Sequence, residues 1–294
     1  MDNNFDTQYF ERLWNSKFEE GRSTRQATWD DRANEWDRKY RKENNDSNPR
    51  ELRMIDTAEY FHSRGLLGPD IDVADVGCGP GRFVAEFAKY TRFVLGTDIS
   101  PKMAEYGAKY CHERGYENVE FKAVDFQTAD IAALGWEKKF DLVFTSITPA
   151  VRGAGLDKII QMSRGWCYNS CFVYSHNELN DEILRKVFGR EPKAEKTSHS
   201  SWFYELFNVL WFRGYYPETR YYKQHREMPV TADRASAVRL ADYLLNEDEQ
   251  TEESIIKIQR YLEKEADNTG KVTEVSDCWY GWLLWDVRDK HDHN

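Results

Sequence analysis

Short apolar runs alternate with amphipathic segments between residues 72 and 176, and this alternation constrains the fold more than any other feature of the chain. In each amphipathic segment the apolar residues recur every three or four positions, which is typical of a helix. Strands that alternate with helices form a parallel sheet covered on both faces. We therefore predict an α/β fold with a short helix after the third strand and with strands at residues 72–77, 92–100, 119–125, 139–147 and 170–176.

The segments on either side of this region have other patterns. Aromatic residues at helical spacing predict two helices within residues 5–45, and a loop at 43–49 leads to a third helix at 50–64. After residue 176 the regular alternation stops. The patterns there predict an aromatic-rich helix at 201–214, a strand at 218–228, helices at 231–247 and 251–267, and a strand or hairpin at 271–288.

The stretch DVGCGPGRF, residues 75–83, places three glycines in five positions directly after the first strand. Ligands of open parallel sheets bind at the carboxyl ends of the strands, and a glycine-rich turn there lets a ligand approach the backbone. The dinucleotide fingerprint GxGxxG requires a third glycine where this chain has Arg82, and a P-loop also fails at that position. Spacing therefore excludes both of these nucleotide-binding loops.

The stretch VADVGCGPG, residues 73–81, resembles motif I of the class I S-adenosylmethionine-dependent methyltransferases. The resemblance implies a doubly wound, mostly parallel seven-stranded sheet, a Rossmann-like methyltransferase fold, with S-adenosyl-L-methionine as cofactor. Motif I would bring the loop residues to the cofactor: Asp75, Gly77, Cys78, Gly79 and Gly81.

The resemblance extends to the ends of the next three strands. Asp98 stands where the family has an acidic residue that holds both ribose hydroxyls, and DISPKM places Ile99 and Met103 beside it. Asp125 matches the acidic residue that accepts from the adenine amino group, and Phe126 would flank the ring. The segment 140–151 matches the stretch after strand 4 and includes Thr145.

An N-terminal element, WDDRANEWDRKY, is similar to one that precedes motif I in the small-molecule members of this family. It supplies Trp29, Trp36 and Tyr40 as candidates for a lid over the cofactor, because aromatic faces suit a sulfonium cation. The alternative is that these three aromatic residues form the apolar face of a helix that packs on the sheet.

The resemblance implies in-line transfer of the sulfonium methyl to a nucleophile. His176 ends the fifth predicted strand and is the candidate general base, since a histidine near its usual pKa accepts a proton at neutral pH. A histidine bonded to loop backbone is an equally good interpretation. No NPPY-type tetrapeptide follows strand 4, which argues against N-methylation of DNA bases or release factors.

The domain organisation follows from these assignments, because no Gly-, Pro- or Ser-rich linker divides the chain. We predict an N-terminal helical cap at 1–65 and a cofactor-binding core at 66–176. Residues 177–294 would complete the sheet and carry an aromatic-rich, substrate-binding helical insertion before the last strand.

The composition of the chain indicates which class of methyl acceptor and which cellular compartment to expect. The net charge of −10 disfavours nucleic acid as a partner, because binding to phosphates depends on Lys and Arg. The start of the chain has no signal-peptide pattern, no apolar run reaches membrane-spanning length, and the five cysteines form no disulfide framework or metal-ligand spacing. We expect a cytoplasmic enzyme without a metal that acts on a small molecule; a methyltransferase for RNA or protein and a non-catalytic sensor or scaffold are the alternatives.

Overall fold

The computed structural model describes residues 6–16, 26–42, 49–192 and 198–291. Most of the loop predicted at 43–49 lies outside these residues. Within them, no helix combines the length and apolar character needed to cross a membrane.

Seven strands of the described chain form one sheet in the order β3-β2-β1-β4-β5-β7-β6. The first five run parallel, in the pairs β3 with β2, β2 with β1, β1 with β4, and β4 with β5. The sheet is mostly parallel, with a few antiparallel strands. The strands are β1 (Asp72–Val76), β2 (Phe93–Asp98), β3 (Val119–Ala123), β4 (Phe140–Ser146), β5 (Ser163–Asn177), β6 (Glu218–Thr231) and β7 (Lys271–Asp286).

Helices precede, connect and follow these strands. The sequence explains several of their ends: the Ser100 hydroxyl accepts from the Met103 N–H at 3.2 Å at the start of the fifth helix, whose first residue is Pro101. The helices are α1 (Thr7–Ser16), α2 (Gln26–Lys42), α3 (Pro49–Ser63), α4 (Arg82–Ala88), α5 (Pro101–His112), α6 (Gly155–Met162), α7 (Glu178–Phe188), α8 (Ser198–Phe212), α9 (Arg234–Leu244) and α10 (Glu252–Glu265).

Alternate residues of the parallel strands enter two separate apolar clusters. Ala74 and Val76 of β1 belong to one cluster, with residues of α1, α6 and α8, whereas Val73 belongs to the other, with residues of α3 and α4. Successive side chains of a strand point to opposite faces, so both faces of the sheet are covered. This arrangement confirms the layered α/β prediction and leaves the strand ends as the exposed edge.

The chain divides into two compact units. The first comprises Met1–Cys171, Ser200–Tyr222 and Gly281–Asn294, and the second Phe172–His199 and Lys223–Tyr280. The second unit has its own apolar cluster, built from α7, α9, α10 and adjoining strand residues. The predicted divisions at 65 and 176 remain predictions.

Two local predictions were wrong. Residues 124–138 form turns instead of a short helix, because the Asp125 and Asp130 carboxylates accept from the Gln127 and Ala133 N–H groups at 3.1 and 3.0 Å. Such side-chain bonds compete with a helical ladder. Strand β5 begins at Ser163 rather than at residue 170, directly after α6, and the predicted strand or hairpin at 271–288 is one strand.

Candidate functional site

The carboxyl ends of the parallel strands bring four predicted segments to one edge of the first unit. The glycine loop follows β1, Asp98 ends β2, and Asp125 follows β3. The segment after β4 starts at Ile147, on the other side of the loop. Since β3, β2, β1 and β4 are successive neighbours in the sheet, these segments lie side by side, as the sequence predicted.

The three glycines of the loop all have positive φ, at +76° for Gly77, +52° for Gly79 and +75° for Gly81. A Cβ on Gly77 would lie 2.2 Å from the Thr148 hydroxyl oxygen, and a Cβ on Gly81 would lie 2.8 Å from the Phe121 ring. A Cβ on Gly79 would meet nothing within 4 Å. Packing within the protein therefore requires Gly77 and Gly81, whereas Gly79 leaves open space over the backbone.

Asp98 connects the ends of β1 and β2. Its Oδ2 accepts from the Gly79 N–H at 2.9 Å, and its Oδ1 accepts from the Ser100 N–H at 2.9 Å. Burial raises the pKa of Asp98, and these backbone N–H groups partly oppose that shift. A carboxylate offers about four lone-pair positions, so the two backbone bonds leave acceptor capacity on each oxygen.

Helix α2 packs on α5 next to this carboxylate. Ser100 donates its hydroxyl to Asp30 Oδ1 at 2.5 Å, and this hydrogen bond lowers the pKa of Asp30. Trp29 precedes Asp30, is half-buried, and has the Arg32 guanidinium 5.5 Å from its ring centre. The side chains of Trp36 and Tyr40 lie outside the described part of the structure.

One carboxyl and one thiol of the motif have pKa values well above their ordinary ones. Asp75 is buried in β1, and its burial and the charge of Asp98 raise its pKa well above the ordinary value. Burial, together with Asp75 and Asp98, likewise raises the pKa of the Cys78 thiol. A thiol without thiolate character is a poor nucleophile, so Cys78 is suited to fill space behind the loop.

The remaining predicted cofactor residues differ in exposure and in hydrogen bonding. The Thr145 hydroxyl is fully buried, donates to the Tyr168 carbonyl at 2.8 Å and accepts from Asn169 Nδ2 at 2.9 Å, so it links β4 to β5. Asp125 is exposed and accepts from the Thr128 hydroxyl at 3.0 Å. The other three follow β2 or β3 and are buried or half-buried: Ile99, Met103 and Phe126.

His176 belongs to the second unit, where its Nε2 lies 3.2 Å from Asp181 Oδ2. Glu274 Oε1 accepts from the neighbouring Asn177 side chain at 2.9 Å. The catalytic role of His176 stays a prediction.

The segment after β4 has features that sequence patterns did not reveal. Ile147 has a φ of +54°, which is strained for a β-branched residue, and its side chain is 38% exposed. Strained residues cluster at functional sites. Next to it, the Ser146 hydroxyl accepts from Arg53 Nη1 at 3.3 Å and from the Ser170 hydroxyl at 2.9 Å. No motif marks these residues, because Arg53 reaches Ser146 across 93 positions of the chain.

Part of this chain is similar to known methyltransferases. The family model described as "Methyltransferase domain" matches residues 73–164. A 23S rRNA (uracil(1939)-C(5))-methyltransferase of Alcanivorax borkumensis is 33% identical over 73 residues, which is 25% of this chain and 16% of that relative.

Two solved methyltransferase structures are similar to this chain at low sequence identity. A putative methyltransferase from Bacillus halodurans superposes with a TM-score of 0.49 at 14% identity, covering 78% of this chain and 98% of the other. Magnesium protoporphyrin IX methyltransferase from Synechocystis, solved with bound S-adenosylhomocysteine, gives 0.46 at 14% identity, with 93% and 99% covered.

The family match begins in β1, runs through the glycine loop and Asp98, and ends at the start of β5. It therefore spans the strands whose carboxyl ends form the site. Residues 73–164 therefore match a methyltransferase domain, and this part of the chain carries the glycine loop and Asp98.

Proposed function

We propose that this protein transfers the methyl group of S-adenosyl-L-methionine to a small-molecule acceptor. The observation that carries the proposal is the open backbone at Gly79, where a Cβ would meet nothing within 4 Å, directly beside the Asp98 carboxylate. An uncovered loop next to an acceptor of two hydrogen bonds suits a ligand that bears a diol.

The residues at this edge fit the cofactor. Asp98 is fixed by Gly79 and Ser100 and retains lone pairs for the two ribose hydroxyls. Met103, behind it, is 1% exposed and supplies an apolar wall. Asp125 stands at the end of the neighbouring strand, in the position proposed for the adenine amino group.

When bound, the cofactor supplies a methyl group already activated by its sulfonium centre. The chain must hold a nucleophile in line with that carbon at about 3 Å and exclude water. The segment after β4 is next to the glycine loop, since Thr148 fills the space above Gly77. We therefore assign the acceptor side of the site to residues 146–152, with the strained, exposed Ile147 as an apolar contact.

We propose His176 as the general base when the nucleophile of the acceptor is protonated. Its Nε2 lies 3.2 Å from Asp181 Oδ2, and a carboxylate partner of this kind orients an imidazole. A nucleophile that is already deprotonated would not need this step.

A small molecule is favoured as acceptor by the net charge of −10, which opposes binding to a polyanion. The segment similar to an rRNA methyltransferase favours RNA as a second candidate. The match covers 16% of that relative, so most of its length has no counterpart in the comparison.

One labelling experiment separates the two acceptors. The purified chain is incubated with methyl-labelled S-adenosylmethionine and either a metabolite extract or total RNA, and the label is followed by mass spectrometry. We expect a labelled product below about 1 kDa from the extract and no label in RNA. Label in RNA alone contradicts the small-molecule assignment, and cofactor binding without any transfer indicates a sensor or scaffold. The Asp98→Ala variant is the control, because it retains the acceptor side and removes the ribose ligand.

A further inference from the structure

A buried arginine lies just beyond the segment assigned to the acceptor side. Arg152 follows the short 3-10 helix Pro149–Val151 and is 1% exposed. Its guanidinium lies 4.4 Å from the Trp14 ring centre and 4.5 Å from that of Trp202. Two indole faces stabilise the cation and keep water away from it.

The hydrogen bonding of this guanidinium is incomplete. Nη1 donates to Glu205 Oε2 at 3.2 Å. Nε and Nη2 are buried and have no acceptor among the residues that the structure describes, and the same holds for Trp14 Nε1. A buried donor without an acceptor costs about 1–3 kcal/mol, and more when it is charged. Such donors need an acceptor that the described residues do not supply, and a ligand is one source of it.

The two donors without acceptors define the ligand's shape. Nε–H and Nη2–H point from the same edge of the planar guanidinium and form the side-on fork that binds two oxygen atoms in parallel. A carboxylate presents two oxygens at that spacing. Glu205 holds Nη1, the third nitrogen, and so fixes the orientation of the fork.

The segment that carries Arg152 lies beside the glycine loop. Thr148, four residues earlier, fills the space above Gly77. Gln127 Nε2 donates to the carbonyls of Ala150 and Arg152 at 2.9 and 3.0 Å, which ties this segment to the end of β3. Burial raises the pKa of the Cys171 thiol in β5 to about 12, and the charge of Arg152 opposes this shift. Arg152 therefore belongs to a segment that adjoins the strand-end edge of the first unit.

We propose that Arg152 binds a carboxylate group of the methyl acceptor through Nε and Nη2, with Trp14 and Trp202 enclosing the guanidinium and Glu205 as its positioning residue. The proposal rests on the proposed function and narrows the acceptor to a carboxylic acid. The alternative is an ion pair that only joins α8 to the segment after β4, and that alternative predicts no ligand dependence.

The test uses the full chain and acids with matched neutral amides. Binding of a set from acetate to benzoate, and of the corresponding amides, is followed by tryptophan fluorescence and calorimetry, with and without S-adenosylhomocysteine. We expect at least one acid to bind saturably and its amide to bind about tenfold more weakly or not at all, since the amide loses the charge. Equal binding of acid and amide overturns the proposal, as does a lack of saturable binding by every acid.

Variants of Arg152 and Glu205 test whether Nε and Nη2 of Arg152 cause the difference between acid and amide binding. Arg152→Lys keeps the charge but removes the paired donors, so the affinity for the acid should fall about tenfold. The double variant Arg152→Gln/Glu205→Gln removes the charged pair without leaving one charge buried, and it should bind acid and amide alike. Arg213→Lys is the matched control: Arg213 bonds Glu11 at 2.8 Å and Asp157 at 2.6 Å and also anchors α8, but it should leave acid binding unchanged.

The readouts keep this proposal distinct from the proposed function. Affinity for S-adenosylhomocysteine should stay within about twofold in all variants, because none of them alters the glycine loop or Asp98. Wild-type affinity for the acid in Arg152→Lys overturns the carboxylate subsite. Absence of cofactor binding in the wild-type chain contradicts the proposed function, whereas acid binding is still measured without cofactor.

Discussion

The substitution Gly79→Ala tests whether the open space at the glycine loop belongs to the cofactor. A Cβ at this position meets no protein atom within 4 Å, so the variant introduces no clash within the folded chain. The residue's N–H still donates to Asp98. The one cost to the protein is a side chain at a φ of +52°.

The structure provides a matched control for that cost. Gly65, after α3, has a φ of +71° and also has nothing within 4 Å of a Cβ. An alanine in the left-handed region costs about 1–2 kcal/mol. Both variants should therefore lose about the same small amount of unfolding free energy, measured by urea denaturation.

Cofactor affinity should separate the two variants. A methyl group forced into a close backbone–ligand contact costs about 1–3 kcal/mol, which is roughly five- to 150-fold in Kd. Calorimetry with S-adenosylhomocysteine should show this loss for Gly79→Ala and unchanged affinity for Gly65→Ala. Equal affinity in both variants would refute the placement of the cofactor over Gly79.

Two further predictions concern ionisable groups. Burial raises the pKa of Asp98 above its ordinary value of 3.8, and only the ionised carboxylate accepts from both hydroxyls. As the pH is lowered, affinity for S-adenosylhomocysteine should therefore begin to fall at a higher pH than the one at which an ordinary Asp protonates. The Asp98→Asn variant should bind weakly and show no such pH dependence. Parallel affinity curves for the wild type and the variant would exclude Asp98 as the ribose ligand. For His176→Gln we expect lower turnover with unchanged cofactor affinity, and wild-type turnover across the pH range would remove His176 as the base.

The sequence predicted which segments meet at the strand ends because the determinants of that placement are local. The glycine loop directly follows β1 and Asp98 ends β2, so knowing where the strands end is enough to predict which segments share an edge. The Ser100 cap is another local signal, and the structure confirms it. The short helix predicted after β3 was wrong because Asp125 and Asp130 bond nearby N–H groups, and helical periodicity does not include that competition.

The individual roles of the glycines could not be read from the motif. A pattern shows that side chains are disfavoured at Gly77, Gly79 and Gly81, but not which neighbour disfavours them. Thr148 excludes a side chain at Gly77 from 71 positions away, and Phe121 excludes one at Gly81. Only tertiary packing distinguishes these two from the glycine that faces open space.

The cluster around Arg152, which we propose as the acceptor subsite, gives no signal in the sequence for a related reason. Arg152, Trp14 and Glu205 come from three distant segments, and the Arg152–Glu205 pair spans 53 positions. In the sequence, a single arginine after strand 4 does not stand out. Only the structure shows that it is buried between two aromatic rings. The same segment fills the space above Gly77 through Thr148, so one stretch of chain, residues 146–152, connects the glycine loop to the Arg152 cluster. An acceptor held by Arg152 and a cofactor held at the glycine loop would therefore contact one continuous segment, and we expect acid affinity to differ between measurements with and without S-adenosylhomocysteine.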